Sequence, residues 1–547
     1  MADALAAHVS RRAATPQQEL ARADQVKNNA GGFVFGIPEE ARLHRFLTIG
    51  TEGGTYHVSE RDLTRDNAKV VTGMAAASNP VLVNQAVEVS QAGRAPSNNP
   101  ALFALAAASG LGAEDYRAAA FAALPSVART GHHLITFAKY MELFRGWGPQ
   151  AVKGIGRWYT GKEPEALAYQ LLKYKSRDGW AQRDILRLAN SKGALKEGAS
   201  LEQKALFHYV MKGEPGDGLS QLVLDAEEAH RVLSPVLGQV PGRESRVRQW
   251  VRLIEGNSAL SWEMLPSEAL SEPDVWRAMI TGGNLPQGAL IRQLSRLTNL
   301  GVLKQSDSFT NQVAGLIAAP ERLKKARVHP IAVLLALKTY ASGHSARGDS
   351  TWNPVPVVTD ALDAGFYSAF PVVTPAGNRI KVSIDVSGTM GHNAGGLPIT
   401  CRELVAAMSL VTVKTEPLVT TWAFSDTLRP LDLSSRRRID DILAATRGLP
   451  FSRTDCALPM VTATKHREEV DVFQVWTDNE TWYGKIHPYQ ALEQYRQASG
   501  IDAKLQVIAV VPTEFSIADP LDPRSMDVSG FDAAVPVLLA DHARGDL

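Results

Sequence analysis

Residues 381–393 read KVSIDVSGTMGHN, an apolar run that stops abruptly at Asp385 and passes into Ser387, Gly388 and Thr389. With the preceding NRI it has the composition of a buried β-strand followed by a turn. DVFQVWTDN (471–479) and LQVIAVVPTEF (505–515) repeat that arrangement, and PLVTTWAFSDTL (417–428) supplies another strand. TCRELVAAMSLVTVK (400–414) and SRRRIDDILAAT (435–446) are helix candidates between them. Strands alternating with helices predict a mostly parallel sheet covered by helices, with ligands gathering beyond the carboxyl ends of the strands. Asp385 stands at such an end.

Upstream the period changes. ALFALAAASG (101–110), EDYRAAAFAAL (114–124), PEALAYQLLKYK (164–175), AQRDILRLA (181–189), ALIRQLSRL (289–297) and PIAVLLALKTY (330–340) place apolar residues three and four apart, the spacing of amphipathic helices. SNP, SKG, GEPGDG and NLPQG punctuate them as short links. Many short helices without strands predict stacked helical hairpins of the solenoid type. There is no strict sequence period, so irregular repeats are preferred and a plain globular all-helical domain is the alternative. GTYHVSERDLTRDN (54–67) reads as a hairpin or irregular insertion, and GHSARGDSTWNPVPVV (343–358) as the passage between domains. The final residues read as loop, a short helix or strand, and a loose tail.

At 547 residues the chain exceeds one hydrophobic core, and its 45% apolar and 21% charged residues are those of a folded protein. No run approaches the roughly 18 apolar residues of a membrane span, and the amino terminus lacks a signal-peptide core, so a cytoplasmic location is expected. Cys401 and Cys456 are the only cysteines, too few for a disulfide framework. The net charge of +1 hides an asymmetry: 139–196 carry 12 Lys/Arg against 5 Asp/Glu, and 421–547 carry 13 against 19. A polyanionic partner would therefore meet the helical part.

Asp385 offers a carboxylate, and Ser387 and Thr389 offer hydroxyl oxygens two residues apart. A hard divalent cation such as Mg2+ favours this all-oxygen set, with Mn2+ and Ca2+ as alternatives. Thr454-Asp455 and Trp476-Thr477-Asp478 sit in two further loops of the same part. The first motif alone is a weak signal, read more readily as an Asx or Ser turn.

The order DVSGT, Thr454, Asp478 resembles the metal-ion-dependent adhesion site of von Willebrand factor A domains. That resemblance implies direct contacts from Asp385, Ser387 and Thr389, a hydroxyl from Thr454, and direct or water-mediated coordination by Asp478. Arg453 and Ser452 stand where relatives tend to have glycine, and Arg453 could block or repel the ion.

The helical part resembles the Ro 60-kDa autoantigen family, whose helical part is called the TROVE domain. The blocks that carry the resemblance are QVKNNAGGFVF (25–35), RLHRFLTIGTEGGTYHV (42–58), LAYQLLKYKSRDGWAQRDILRLANSK (167–192), VHPIAVLLALKTYASGH (328–344) and WNPVPVVTDALDAGFYSAF (352–370). It implies an all-α, HEAT-like helical-repeat ring over 20–365 and an α/β, Rossmann-like von Willebrand factor A domain over 366–547. It also implies Y RNA on the outer surface of the ring and single-stranded 3' ends of misfolded or structured RNA in its hole. The implied role is noncoding RNA quality control and stress survival, with polynucleotide phosphorylase or another exoribonuclease as partner. A monomer is the default, since the ring closes within one chain.

The basic residues agree with such a role. Lys173, Lys175 and Arg177 precede Gly179-Trp180, and Arg183 and Arg187 are four apart on the next helix. Each phosphate contact adds a salt-sensitive term while reading little sequence. The family's Y RNA surface includes basic residues of this block, which fall on Lys175 and Arg183. Gln182 stands where relatives usually have His, so a weaker or altered specific contact is expected there. Arg129, His132 and Lys139 form a second cluster. Arg246 lies in an arginine-rich run, and Arg292 and Arg296 share a helix side; residues of this kind would line the hole of a closed ring. Lys324, Lys325 and Arg327 are candidate rim contacts. His329 reads as a helix start, and Trp147, Trp158 and Trp262 read as core first and stacking platforms second.

The phosphate-binding Gly-Lys-Ser/Thr and HExxH motifs are missing from the sequence, so no enzyme is expected. The rival reading is a protein-adhesion or scaffold module acting through the metal site, binding an acidic protein and no RNA.

Overall fold

The computed structural model describes residues 14–49, 68–177, 179–190, 195, 198–235, 241–345, 349–394, 399–434, 436–439, 441–442, 453–511 and 513–547. The segment read as a hairpin at 54–67 and half of the helix expected at 435–446 lie outside them. The chain divides into two compact units, one of Val71–Gly93 and Asn98–Ala369, the other of Met1–Val70, Arg94–Ser97 and Phe370–Leu547. This differs from the expected division at 365, because residues before Val70 belong to the unit that holds the sheet.

The first unit is helical. Asn99–Leu111 packs against Pro80–Ala92, Glu114–Val127 and Gly131–Glu142, and Pro149–Thr160 packs against Glu114–Val127. Pro164–Lys173 and Gln182–Ala189 both meet Leu201–Lys212, and Gln221–Arg231 is followed by Arg243–Gly256 and Pro273–Thr281. Gln287–Asn299, Ser308–Ala318, Pro330–Ser342 and Pro356–Ser368 complete the run. These helices pack on neighbours one to three places away in the chain, which is how solenoid repeats bury faces that a lone hairpin would leave wet. Alanines allow close approach: Ala101, Ala104 and Ala106 to Ala108 are all buried in Asn99–Leu111.

The two ends of this run meet. A Cβ at Gly93, after the helix Pro80–Ala92, would lie 3.3 Å from Cβ of Arg327, which precedes Pro330–Ser342. Gly93 has a left-handed φ of 68° and caps its helix, so glycine serves both the turn and the contact. The helical unit is a closed circuit of repeats.

The second unit is built on six strands in the order Ser525–Ser529, Lys504–Ala509, Val472–Thr477, Arg379–Asp385, Leu418–Phe424, Leu428–Pro430. All pairs are parallel except the last. Ile380, Val382 and Ile384 alternate with Lys381, Ser383 and Asp385, yet all six are buried, as expected where both faces are covered. Lys381 is tolerated because Nζ donates to Glu468 at 2.6 Å and lies 4.7 Å from the Trp422 ring centroid.

Amino-terminal residues complete this unit. Gln25–Lys27, Phe33–Gly36 and Phe515–Ser516 form a small antiparallel sheet. Arg22 is bidentate to Asp519 at 2.6 and 2.7 Å, and Arg45 donates to Thr513 and pairs with Asp527. None of these long-range pairs has a local periodic signal, so pattern reading placed residues 20–70 with the helices that follow them.

Candidate functional site

The register decides the metal candidate. Ile384 pairs with Trp476, which puts Asp385 beside Thr477 at the carboxyl end of the sheet. Asp385 Oδ2 accepts from the Thr477 hydroxyl at 2.8 Å, and Oδ1 accepts from the Ser387 amide at 2.8 Å. Ser387 Oγ and Thr389 Oγ1 are 3.0 Å apart, and the Thr389 hydroxyl also serves Asp478. The Asx turn read in the sequence therefore exists, and it is what aims two hydroxyls back at the carboxylates.

Thr454 comes to the same layer from another strand end. The Asp455 amide donates to Ser425 O, just beyond Leu418–Phe424, at 2.9 Å, and Thr454 O accepts from the amides of Trp482 and Tyr483 at 3.1 Å. Cys456 Sγ lies 3.5 Å from Thr477 Oγ1. Asp385, Ser387, Thr454 and Asp478 are buried and Thr389 is half-buried. Burial, and then the adjacent Asp478 carboxylate, push the Asp385 carboxyl upward; burial does the same to Asp478. Neither forms an ion pair with a cationic side chain among the described residues. Two buried, like-charged carboxylates ringed by hydroxyls fit a divalent cation, which would supply the missing opposite charge. Arg453 is exposed and stacks 4.7 Å from the Tyr483 ring centroid, so its guanidinium has a partner on the rim. Thr477, which holds Asp385, was not singled out in the sequence.

The basic candidates divide by burial. Lys175, Arg183 and Arg187 are exposed and form no ion pair among the described residues. A two-residue β-pair, Ser176–Arg177 with Trp180–Ala181, holds them together, and the Gln182 amide donates to Lys175 O at 2.9 Å. The Arg177 side chain lies outside the described residues. Gln182 is buried: it donates to Gly131 O and accepts from Tyr159 Oη, both at 2.8 Å. It thus ties two helices together from a buried position.

Lys173 is spent inside the protein, donating to Tyr169 Oη at 2.9 Å with Glu263 at 3.7 Å. Arg296 donates to Leu270 O at 3.1 Å over the Trp276 ring. Arg129 is half-buried and donates to Ser90 Oγ at 2.6 Å; burial, then Arg327, lower its guanidinium to about 10. Beside it, burial and the neighbouring Arg129 and His132 drop His133 to about 3, so His133 is neutral. His132 is half-buried, with its ring 6.3 Å from that of Tyr174. Burial raises the Tyr174 hydroxyl, against the charges of Lys173 and Arg292, which brings Arg292 into the same neighbourhood. Arg292 itself is exposed, and Lys139 and Arg246 are half-buried on separate helices.

Lys324, Lys325 and Arg327 are exposed where the circuit closes. His329 is buried and caps Pro330–Ser342, its Nδ1 accepting from the Ile331 amide at 3.1 Å. Trp158 is buried, and Trp147 and Trp262 are half-buried against Trp180 and Trp276.

A closed circuit of helical repeats and an α/β sheet with oxygen donors at its strand ends define the class, a helical-repeat protein carrying a von Willebrand factor A-type domain. Residues 379–543 match the Ro60 vWA domain family, and residues 26–218 and 255–339 match the TROVE domain. The chain is 37% identical over 537 residues to "RNA-binding protein RO60" of Deinococcus radiodurans, covering 97% of this chain and 98% of that one. It is 32% identical to the Caenorhabditis elegans protein of the same name, covering 97% and 92%. The crystal structure of the Deinococcus radiodurans RO (RSR) protein superposes with a TM-score of 0.67 at 35% identity, covering 93% of this chain and all of that one. The chain belongs to the Ro60 family.

Proposed function

We propose that this chain is an RNA-binding protein of noncoding RNA quality control, a holder and presenter of RNA with no chemistry of its own. The observation that carries the reading is the division of the basic residues. Lys175, Arg183 and Arg187 remain exposed in one short stretch and form no ion pair among the described residues, whereas Lys173 and Arg296 are used in packing. Exposed cations on a β-pair and the helix that follows it suit a phosphate backbone, and the relatives' shared name supports RNA as the polyanion.

In this reading the patch of Lys175, Arg183 and Arg187 takes a Y RNA on the outer surface. Arg129, His132, Arg292 and the closure residues Lys324, Lys325 and Arg327 meet single-stranded 3' ends of misfolded or structured RNA. Lys139 and Arg246 add to the field without direct contact. The chain works as a cytoplasmic monomer and presents RNA to an exoribonuclease such as polynucleotide phosphorylase. Asp385, Ser387, Thr389, Thr454 and Asp478 hold Mg2+, or Mn2+ or Ca2+ in its place. The cation's role is to accept an acidic group from a protein partner.

Recovery and sequencing of nucleic acid that copurifies with the native chain tests this. Structured noncoding RNA, released by moderate salt, is the expected result. A chain free of RNA that captures acidic proteins only with divalent ions favours the adhesion reading instead, for which the buried carboxylate pair is the supporting observation.

A further inference from the structure

Thr454 and Asp478 are supplied by different loops, which bond to each other where the Trp482 and Tyr483 amides donate to Thr454 O and the Cys456 amide donates to the Thr481 hydroxyl, and a third segment adds to these ties. The amino-terminal segment crosses both loops. Gln17 is fully buried. Its Nε2 donates to Asp455 Oδ1 at 2.7 Å and to Ile486 O at 2.9 Å, and its Oε1 accepts from the Thr481 hydroxyl. Its backbone amide donates to Gly484 O at 2.9 Å. One side chain therefore touches the residue after Thr454 and a residue three beyond Asp478.

Asn28 continues the clamp, donating to Asn479 O at 3.3 Å and Thr481 O at 2.8 Å. Asn29 Nδ2 and the Ala30 amide bind the two oxygens of Glu480 at 2.6 and 3.0 Å. The approach is too close for ordinary residues at two points. A Cβ at Gly32 would lie 2.0 Å from Thr481 O, and a Cβ at Gly484 would lie 2.2 Å from Gln17 Nε2 and 2.4 Å from Asp455 Oδ1. Glycine at both positions lets the strap lie directly on the loop backbone.

We propose that Gln17, supported by Asn28, is a positioning residue for the cation site, setting the relative placement of the loops that carry Thr454 and Asp478. The inference rests on the metal reading above and adds to it that the segment 17–32 supports the metal centre. Residues that orient first ligands govern affinity without touching the ion.

The test measures Mn2+ affinity of the full chain by calorimetric titration in wild type, Gln17→Leu and Arg22→Ala. Arg22 is the control, since it ties the same strap to Asp519, away from both loops. Gln17→Leu is expected to weaken Mn2+ binding about tenfold or more, while Arg22→Ala stays within about twofold of wild type. Equal affinity in Gln17→Leu and wild type, or an equal loss in both variants, overturns the inference and leaves the metal reading standing. A wild type that takes up no Mn2+ overturns both. Asn28→Ser carries the same expectation and the same refutation where Gln17→Leu does not fold.

Discussion

Asp532 is the electrostatic anchor of the sheet unit, and replacing it by Asn gives a sharp prediction. It is 1% exposed, accepts from Arg94 Nε at 3.0 Å through one oxygen and from Nη2 at 2.5 Å through the other, and lies 2.7 Å from His44 Nε2. Its Oδ1 also accepts from the Ala534 amide at 2.9 Å, at the start of the last helix. Burial raises the carboxyl, but the hydrogen bonds and charges of His44 and Arg94 outweigh it and hold the group at about 2. An unfolded Asp titrates near 4, so the difference of about two units stabilises the fold by about 2.5 kcal/mol at neutral pH. Leaving Arg94 opposite a neutral amide gives an independent figure. A broken buried pair costs about 3 to 5 kcal/mol, and the partial exposure of Arg94 points to the low end. The two routes agree.

Because the folded value is depressed, this stability is present above pH 4 and disappears as pH falls from about 4 to 2, with roughly half remaining at pH 3. Urea unfolding of wild type and Asp532→Asn, with the sheet followed by amide exchange, should show a gap of about 2 to 3 kcal/mol at pH 7. It should narrow by about half at pH 3. A gap below about 0.5 kcal/mol, within the usual scatter of surface changes, or one that is the same at both pH values, refutes the reasoning.

Mg2+ should raise the melting temperature of the wild type, and Asp385→Ala should abolish that rise. Without divalent ions it should be no less stable than wild type, because a buried like charge is gone; its RNA affinity should be unchanged. Lys173→Met should lower stability by about 1 kcal/mol through the lost Tyr169 and Glu263 contacts, with less effect on RNA affinity than Lys175→Ala in a filter-binding assay. Gly32→Ala drives a Cβ into the Thr481 carbonyl and should cost about 2 kcal/mol or more in urea unfolding.

What the sequence disclosed follows the range of the interactions concerned. Helices such as Asn99–Leu111 and Gln287–Asn299, and strands such as Arg379–Asp385, carry their burial in a local period, and each falls within a few residues of its expected place. Asp385, Ser387 and Thr389 are legible because they share one turn. Lys173 and Lys175 look equivalent in a string, yet one lies against Tyr169 and Glu263 and the other faces solvent. Gln182 looked like a lost ligand contact because its partners, Gly131 and Tyr159, are 51 and 23 positions away. Gln17 is 438 positions from Asp455, and composition contains no trace of that pairing. The small sheet that joins Phe33–Gly36 to Phe515–Ser516 was missed for the same reason.

The central claim is that exposed cations of the helical unit hold an RNA backbone. The most direct measurement is a salt titration of the affinity of wild type and the Lys175→Ala/Arg183→Ala/Arg187→Ala variant for a structured RNA with a single-stranded 3' tail. Each phosphate contact contributes about 0.7 to 0.9 to the slope of log affinity against log salt. The account predicts tight, salt-dependent binding by wild type and a slope shallower by about 2 in the variant, with the fold intact. Identical slopes and affinities in the two proteins, or a wild type that does not bind the RNA at low salt, would contradict it.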